Sequence, residues 1–266
     1  MPTVRVRDTE LYYEVHGSGV PVLLVAGLGG VGSYWQPQLG DFSQRYQVMI
    51  HDHRGTGRSE RSRITYSVDQ MTDDLLALMD ALDIQRAHLV GHSTGGAIGQ
   101  VMAIEHPERL RSLVLFSTWT KADPFFRRCF EVRKELLLAR GPAAYQRAAP
   151  LFLYPSWWIS QNAERLERDE RASLDGFPPV DIVSSRIDAI VAFDRTEQLK
   201  QITTPTLVIC AQDDHLTPAY FSEELARTIP GARLVLLDRG GHASSQTVPQ
   251  ELNRTVLEFL GTHGAA

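Results

Sequence analysis

The amino-acid sequence predicts an α/β protein in which a mostly parallel sheet is covered by helices. Short apolar runs alternate with helix-like segments early in the chain and again near its end. Between these parts, residues 118–200 are helix-like, rich in Arg, Pro and aromatic residues, and contain no good strand. A chain of 266 residues can form one large core with a modest insertion. We therefore predict a core of residues 1–117 and 201–266, with residues 118–200 as an inserted helical cap, or lid.

The elements follow from hydrophobic periodicity. The predicted strands are residues 4–7, 11–16, 21–26, 46–52, 87–91, 110–117, 204–212 and 232–238. The first two alternate polar and apolar residues, as in a hairpin, whereas the others are nearly continuous apolar runs typical of strands buried on both faces. The predicted core helices are residues 68–82, 95–105, 219–228 and 249–260. Ser67 and Gln70 form a capping-box pattern at the start of the first helix.

Composition argues against several kinds of partner. The formal net charge is -5 and no cluster of Lys or Arg builds a basic face, which argues against nucleic acid as the main partner. No apolar run approaches the ~18 residues of a membrane span, and the N-terminal segment lacks the apolar core of a signal peptide. Cys129 and Cys210 lie far apart and form no disulfide framework. We expect a cytoplasmic monomer or homodimer that acts on a small molecule, without membrane or nucleic-acid partners.

A G-x-S-x-G motif stands between a predicted strand and a predicted helix. The segment "GHSTGG" covers residues 91–96 and places Ser93 at its centre. A nucleophile at the apex of a strained turn needs small neighbours, which Gly91 and Gly95 supply. The hydroxyl of Ser93 would then lie near a helix N-terminus, where developing negative charge is stabilised. Ser93 is therefore the candidate nucleophile.

Two later loops offer the base and the acid that a serine nucleophile requires. "DDHLTP" follows one apolar strand and supplies Asp213 or Asp214, and "GGHAS" follows the next and supplies His242. Taken singly, each residue has an ordinary explanation as a turn, loop or helix-capping residue. Three such motifs at the ends of three strands favour a catalytic triad.

A glycine pattern after the third strand has two interpretations. Gly27, Gly29 and Gly32 fit the dinucleotide-binding pattern G-x-G-x-x-G, and Asp52 lies about where a ribose-binding acid belongs. A dinucleotide turn would, however, place Pro37 inside its helix, where proline is poorly tolerated. A hairpin also precedes the supposed first strand of such a unit. NAD binding is therefore the weaker alternative, and we expect no cofactor.

The same glycine loop suits acyl transfer, which needs two backbone N–H groups aimed at the developing oxyanion. We expect one from Thr94, the residue after the nucleophile, and one from Leu28 in the loop "AGLGG". Nearby, "HDH" places His51 and His53 on one face of a strand, but no third metal ligand is evident in the sequence. We therefore predict no metal site.

Together these motifs resemble the α/β-hydrolase superfamily over nearly the full chain. "AGLGG" resembles the oxyanion loop, "DHRGTGRS" the turn D-x-R-G-x-G-x-S, and "GHSTGG" the nucleophile elbow. "DDHLTP" and "GGHAS" resemble the acid and base loops. The resemblance implies the α/β-hydrolase fold and, because the family's acid usually stands four residues before the proline, it selects Asp214 over Asp213. Ala26 departs from the family pattern, since many relatives carry His before the oxyanion glycine.

A narrower resemblance concerns the substrate. "GLGGVGSYWQPQL", "RRCFEVRKELLL" and "LFLYPSWW" are similar to the pyrimidine-utilisation protein D family, described as aminoacrylate or carbamate hydrolases of bacterial uracil breakdown. The oxyanion loop, the elbow and "DRTEQLKQITTPTLVI" are also similar to enol-lactonases and small carboxylesterases. The resemblance therefore implies a serine hydrolase that cleaves an ester, amide, carbamate or enamine-type bond in a small substrate. A non-catalytic ligand-binding protein on the same scaffold is the alternative from another class.

The cap is expected to set specificity. Its aromatic and arginine side chains are candidates for pocket walls and for pairing with a substrate carboxylate. The candidate substrate-binding residues are Trp119, Arg127, Arg128, Phe152, Tyr154, Trp157 and Trp158. The competing interpretation is that the aromatic rings pack into the cap's own core and that the arginines lie in solvent.

Overall fold

A computed structural model of the protein describes residues 2–263. The strands formed by these residues are β1 (Thr3–Val6), β2 (Thr9–His16), β3 (Pro21–Val25), β4 (Gln47–His51), β5 (Ala87–His92), β6 (Leu110–Phe116), β7 (Thr206–Ala211) and β8 (Arg233–Leu237). They form one sheet in the order β1-β2-β4-β3-β5-β6-β7-β8. The β1–β2 and β2–β4 pairs are antiparallel, and all the others are parallel. The predicted mostly parallel sheet is confirmed, as is the hairpin at its edge.

Helices connect these strands. The α-helices of the described chain are α1 (Gln36–Phe42), α2 (Val68–Ala81), α3 (Thr94–Glu105), α4 (Pro124–Leu153), α5 (Ser156–Gln161), α6 (Ala163–Asp175), α7 (Val180–Ala192), α8 (Ala219–Thr228), α9 (Ser244–Thr247) and α10 (Pro249–Thr262). Short 3-10 helices span Gly32–Trp35, Pro107–Arg109 and Thr196–Gln201. None of the helices within residues 2–263 combines the length and the apolar character that a membrane crossing needs.

Of the two contacts in the capping box predicted at Ser67, one forms and the other is replaced. The Ser67 hydroxyl accepts the backbone N–H of Gln70 at 3.0 Å, which satisfies one of the free amides at the start of α2. The Gln70 side chain instead donates to Asp74, one turn further along the helix. The helix therefore begins where the sequence indicates, but its second predicted cap contact is replaced by a contact within the helix.

Alternate side chains of each central strand enter two different cores. In β3, Leu23 packs with the side chains of α2 and α3, whereas Leu24 packs on the other face with those of α1 and α10. Both leucines are fully buried. Full burial of such a side chain contributes roughly 1.5–3 kcal/mol relative to exposure. This two-sided burial explains why the strands have continuous apolar runs in place of an alternating pattern.

The chain between β6 and β7 is helical, with α6 and α7 each packed on α4. Helix α4 is broken at Gly141, whose φ of 79° and ψ of -178° are not helical. An isolated bridge between Lys121 and Asp194 brings the two ends of this segment together. The division into a cap of residues 118–200 and a core stays a prediction, which this helical segment supports. Residues 1 and 264–266 of the predicted core lie outside the described residues.

Candidate active site

A cavity of about 550 Å³ lies between the carboxyl edge of the sheet and the helices that follow β6. Parallel strands all end at this edge, so the loops after β3, β5, β7 and β8 converge there. Ser93 and His242 both line the cavity, together with Leu28 from the loop after β3. On its other side the wall comes from α4, α6 and α7 and from residues between them.

Ser93 stands at the strained turn between β5 and α3. Its φ of 53° and ψ of -113° are a conformation that residues with a side chain rarely adopt. A Cβ at Gly91 would overlap the carbonyl oxygen of Gly95, and a Cβ at Gly95 would overlap that of Val25. The turn is held by the Ser93 N–H, which donates to the Phe116 carbonyl at 2.9 Å. The two glycines are therefore required by close backbone approach, as the motif predicts.

His242 is held from behind by Asp214. The distance between His242 Nδ1 and Asp214 Oδ2 is 3.0 Å, and both side chains are almost fully buried. The other carboxylate oxygen of Asp214 accepts the backbone N–H groups of Leu216 and Thr217, each at 2.9 Å. The carboxylate is therefore fixed by its own loop, and it holds the imidazole at Nδ1, so that Nε2 is the nitrogen outside this contact.

The neighbouring Asp213 binds the backbone of the loop that precedes His242. Its Oδ1 accepts the backbone N–H groups of Gly240 and Gly241 at 2.7 and 2.8 Å. These two glycines directly precede His242, so Asp213 ties the acid loop to the base loop. The structure thus places Asp214, and not Asp213, against the imidazole.

Ser93 and His242 face the same cavity but are not joined in the way that His242 and Asp214 are. No hydrogen bond joins their side chains among the hydrogen bonds of residues 2–263, although both face the same cavity. Such nucleophile–base hydrogen bonds are often long until substrate is bound. The geometry brings the two groups into one cavity and leaves their roles as predictions.

Two residues that the sequence did not single out contact His242. Thr217 Oγ1 donates to Asp214 Oδ2 at 2.8 Å and lies 3.1 Å from His242 Nδ1. His92 Nε2 lies 3.0 Å from the His242 carbonyl oxygen, and its ring stacks on Tyr34 with centroids 4.7 Å apart. Burial holds the pKa of His92 well below its usual value, so this ring is neutral and donates from Nε2. Thr217 lies within "DDHLTP", and His92 directly precedes Ser93. This nearness to the motifs is the one sequence signal for either residue.

The two residues predicted as oxyanion donors, Thr94 and Leu28, both lie near Ser93. Thr94 is the first residue of α3, where a backbone N–H has no acceptor within its own helix. Leu28 lines the cavity beside Gly27, and a Cβ at Gly27 would come within 3.1 Å of Ser93 Cβ. The glycine loop therefore approaches the elbow closely. The roles of Leu28 and Thr94 as donors stay predictions.

Asp52 joins its own turn to the glycine loop. Its carboxylate accepts the backbone N–H of Gly32 at 2.8 Å and that of Arg58 at 2.9 Å. The rings of His51 and His53 stack with centroids 4.9 Å apart, and burial lowers the pKa of His51 to about 4. Within the described part of the chain, no cluster of three or more His, Cys, Asp or Glu side chains is placed to hold a metal ion. This region therefore packs behind the glycine loop and holds it through the bond from Gly32 to Asp52.

The structure does not place the predicted cap residues in the cavity wall. None of Trp119, Arg127, Arg128, Phe152, Tyr154, Trp157 and Trp158 is among the described residues that line it. Trp119 is fully buried against Phe126, with ring centroids 4.6 Å apart, because it belongs to the hydrophobic packing beneath the cap. Tyr154 stacks on Trp158 at 4.5 Å, and Trp157 lies under Arg239. These aromatic rings are used for packing, so this expectation is corrected.

The arginines that line the cavity are not the ones that the sequence analysis names. Arg127 and Arg128 are exposed on α4, whereas Arg133, further along the same helix, is buried and lines the cavity. Arg186 of α7 lines it as well. The spacing of Phe126, Phe130 and Leu137, all buried, marks the inner face of α4, and residue 133 belongs to that face. Helical periodicity was therefore the signal that could have identified Arg133.

The sheet, the serine elbow and the buried acid–histidine pair define an α/β hydrolase. The family model described as "alpha/beta hydrolase fold" matches residues 20–246, and the chain belongs to this family. It is a hydrolase enzyme. Among individual proteins, the chain is 46% identical to "Putative carbamate hydrolase RutD" of Azorhizobium caulinodans, with 98% of each chain covered.

Solved structures give the same fold. The enol-lactonase from Burkholderia xenovorans superposes with a TM-score of 0.90 at 29% identity, covering 98% of this chain and 100% of that one. A thermophilic esterase from Thermogutta terrifontis superposes with a TM-score of 0.89 at 26% identity, with 100% of both chains covered. The similarity therefore extends over the whole length, including the helical segment after β6.

Proposed function

We propose that this hydrolase uses Ser93, His242 and Asp214 as a catalytic triad to cleave a carbamate or related acyl bond in a small substrate. The observation that carries the proposal is the 3.0 Å contact between Asp214 and His242, formed in the wall of a cavity that also contains Ser93 at its strained turn. A buried carboxylate behind a histidine is the arrangement that makes an imidazole an effective base for a serine hydroxyl.

In the proposed reaction, Ser93 Oγ attacks the carbonyl carbon while His242 Nε2 takes the hydroxyl proton. The backbone N–H groups of Leu28 and Thr94 stabilise the oxyanion of the tetrahedral intermediate. His242 then gives the proton to the departing nitrogen or oxygen, which leaves an acyl group on Ser93. A water molecule deprotonated by His242 releases the acid and regenerates the serine. For a carbamate or enamine substrate, direct attack by water that His242 activates is the alternative route.

The substrate class is proposed from the relatives. The chain is 42–46% identical to several proteins named carbamate hydrolases, over more than nine-tenths of its length. The segments that resemble the pyrimidine-utilisation family extend this to aminoacrylate or carbamate hydrolysis in pyrimidine degradation. The cavity of about 550 Å³ has the size of a small-molecule site, which agrees with a small organic substrate.

The test is a hydrolysis screen over carbamates, enamine acids, lactones and short-chain esters. We expect Ser93→Ala to lower kcat for the best substrate by roughly 10⁴-fold or more, because removal of a triad nucleophile leaves only the binding and oxyanion contributions. The initial rate is followed by ammonia release for carbamates and enamines and by nitrophenolate absorbance for esters. Circular dichroism of the variant verifies that its fold is retained.

The outcome of the screen separates the alternatives. Turnover that persists in Ser93→Ala but is lost in His242→Gln would favour direct attack by water. Preference for a lactone or a neutral ester would favour an enol-lactonase or esterase, as in the two superposed structures. Stoichiometric binding without product release would indicate a ligand-binding protein and would contradict the proposed catalysis.

A further inference from the structure

The cavity wall has an uneven charge. It includes Arg133 and Arg186, whereas no aspartate or glutamate occurs among the described residues that line it. The protein as a whole carries a formal net charge of -5, so this local excess of positive charge does not follow from composition. An explanation requires the environment of each guanidinium.

Arg186 is almost fully buried, with 1% of its surface exposed, and its partners are all neutral. Its Nη1 donates to the carbonyl of Arg54 at 3.1 Å, and Nη2 donates to the carbonyl of Leu28 at 3.1 Å and to Nδ1 of His53 at 3.2 Å. Its Nε is buried without a hydrogen-bond partner. Burial lowers the pKa of Arg186 to about 10, so the guanidinium remains charged at neutral pH.

Arg133 has a similar environment on the opposite helix. It is 6% exposed, its Nη2 donates to the Tyr145 hydroxyl at 3.1 Å, and its Nε is buried without a partner. The rings of Phe130, Tyr145 and Phe152 surround the guanidinium at 5.0–5.3 Å. Aromatic faces attract a cation but do not neutralise it.

A third buried arginine, Arg54, is paired with carboxylates and serves as a comparison. Arg54 is 4% exposed and contacts two carboxylates, Asp74 at 2.8 Å and Asp8 at 2.6 Å. Burial of a charge is unfavourable unless it is paired. Arg133 and Arg186 differ from Arg54 in having no ion-pair partner within residues 2–263 and in facing a cavity.

We propose that Arg133 and Arg186 form a carboxylate-binding subsite, so that the substrate cleaved at Ser93 is a small organic acid derivative. The apolar walls, which include Phe177 and Val183, favour an organic anion over an inorganic one. That the substrate is cleaved at Ser93 rests on the proposed function. That an anion binds in the cavity is inferred from the two arginines alone. Arg133 and Arg186 lie on α4 and α7, whereas Ser93 lies at the turn after β5, so the substrate would span the two parts of the site.

The first test compares two nitrophenyl esters of equal chain length, mono-nitrophenyl succinate and nitrophenyl butyrate. We expect Arg133→Met and Arg186→Met to lower the ratio of kcat/KM for the acidic ester to that for the neutral ester by about 10- to 100-fold, as loss of a charge-assisted hydrogen bond predicts. The ratio cancels any general loss of activity. Arg127→Met and Arg128→Met remove exposed charges from the same helix and should leave the ratio unchanged.

The second test does not depend on turnover. In the Ser93→Ala protein, isothermal titration calorimetry compares monomethyl succinate with dimethyl succinate. We expect the monoanion to bind at least tenfold more tightly than the diester. This preference should be lost when Arg133→Met is added. Within the protein, that substitution removes the hydrogen bond to Tyr145 and the contacts with the surrounding rings. Arg186→Lys keeps the cation and should retain part of the preference.

The results separate the subsite from the catalytic proposal. Equal affinity for the acid and the diester overturns the subsite, whether or not the wild-type protein hydrolyses esters. A preference that Arg127→Met removes as completely as Arg133→Met overturns it too, since it would then reflect overall charge. Tight binding of the acid by a protein that hydrolyses nothing supports the subsite and contradicts the proposed function.

Discussion

At the scale of single residues, Thr217 shares one hydroxyl between the candidate acid and the candidate base. Its Oγ1 donates to Asp214 Oδ2 at 2.8 Å and lies 3.1 Å from His242 Nδ1. Because this hydroxyl contacts Asp214 and His242, we expect Thr217 to act as a positioning residue. Its loss would leave Asp214 with one fewer buried hydrogen bond and His242 with more rotational freedom.

Thr217→Val is therefore expected to lower kcat/KM by roughly 10- to 100-fold, which corresponds to about 1–3 kcal/mol for a buried hydrogen bond left unmade. The valine has a similar shape, so packing is retained. Thr217→Ser restores the hydroxyl and should recover most of the activity. A pH–rate profile of each variant reports on the base, and similar losses in the Val and Ser proteins would contradict a role for the hydroxyl.

The arginines of α4 show which part of the site the sequence does not reveal. The sequence predicts a cationic contact from the cap at Arg127 and Arg128, which follow Phe126 in the chain but lie on the exposed face of α4. Arg133 faces inward because it lies seven residues after Phe126, about two helical turns. The face of a residue on a helix follows from helical phase, which the spacing of Phe126, Phe130 and Leu137 indicates. Charge and nearness along the chain, which favour Arg127 and Arg128, carry no information on that phase.

At the scale of elements, the elbow between β5 and α3 depends on glycines that a methyl group would disrupt. A Cβ at Gly95 would overlap the Val25 carbonyl oxygen and approach that of Ala26 within 3.0 Å. Both obstacles are backbone atoms of the neighbouring strand and loop, which cannot rotate away as a flexible side chain can.

We expect Gly95→Ala to lower the free energy of unfolding by roughly 1–3 kcal/mol or more, the usual cost of overpacking a dense core. The matched control is Gly40→Ala in α1, where a Cβ meets nothing within 4 Å. That change should be neutral or stabilising by up to about 1 kcal/mol, because alanine favours the helix. Urea denaturation measures both, and equal stability of the two variants would contradict the close packing of the elbow.

The elements of the sheet were predictable because burial on both faces and turn chemistry leave strong local signals. Each apolar run corresponds to a strand, and the predicted helix of residues 219–228 has the same bounds in the structure. The helices after β6 were harder to divide. Helix α4 continues past Gly141 with a change of direction, and its aromatic residues serve packing that only the tertiary structure reveals. Apolar content there could not distinguish a cavity wall from a cap interior.

At the scale of the whole molecule, buried neutral histidines make stability depend on pH. Burial lowers the pKa of His51 to about 4, from an ordinary value of about 6.5 in the unfolded chain. The unfolded state therefore binds a proton between these pH values while the folded state does not. Stability is complete above pH ~6.5 and falls as the pH decreases towards about 4.

The contribution of His51 is on the order of 3 kcal/mol across this window, since one pKa unit corresponds to about 1.4 kcal/mol. We expect the free energy of unfolding to fall less steeply with acidification in His51→Asn than in the wild-type protein. His106→Asn, at a half-exposed position, is the control. Urea denaturation at several pH values between 4 and 7 provides the comparison, and parallel curves for the wild-type and His51→Asn proteins would show that His51 does not contribute.

The bond from Arg186 to the Leu28 carbonyl has a consequence for protein engineering. Exchanging the helical segment between relatives is an obvious way to alter what such an enzyme accepts. Here that graft would also remove the donor that steadies the glycine loop beside Ser93. A chimaera made in this way should therefore lose reaction rate together with its selectivity, unless the transplanted helices carry an equivalent guanidinium at the same point.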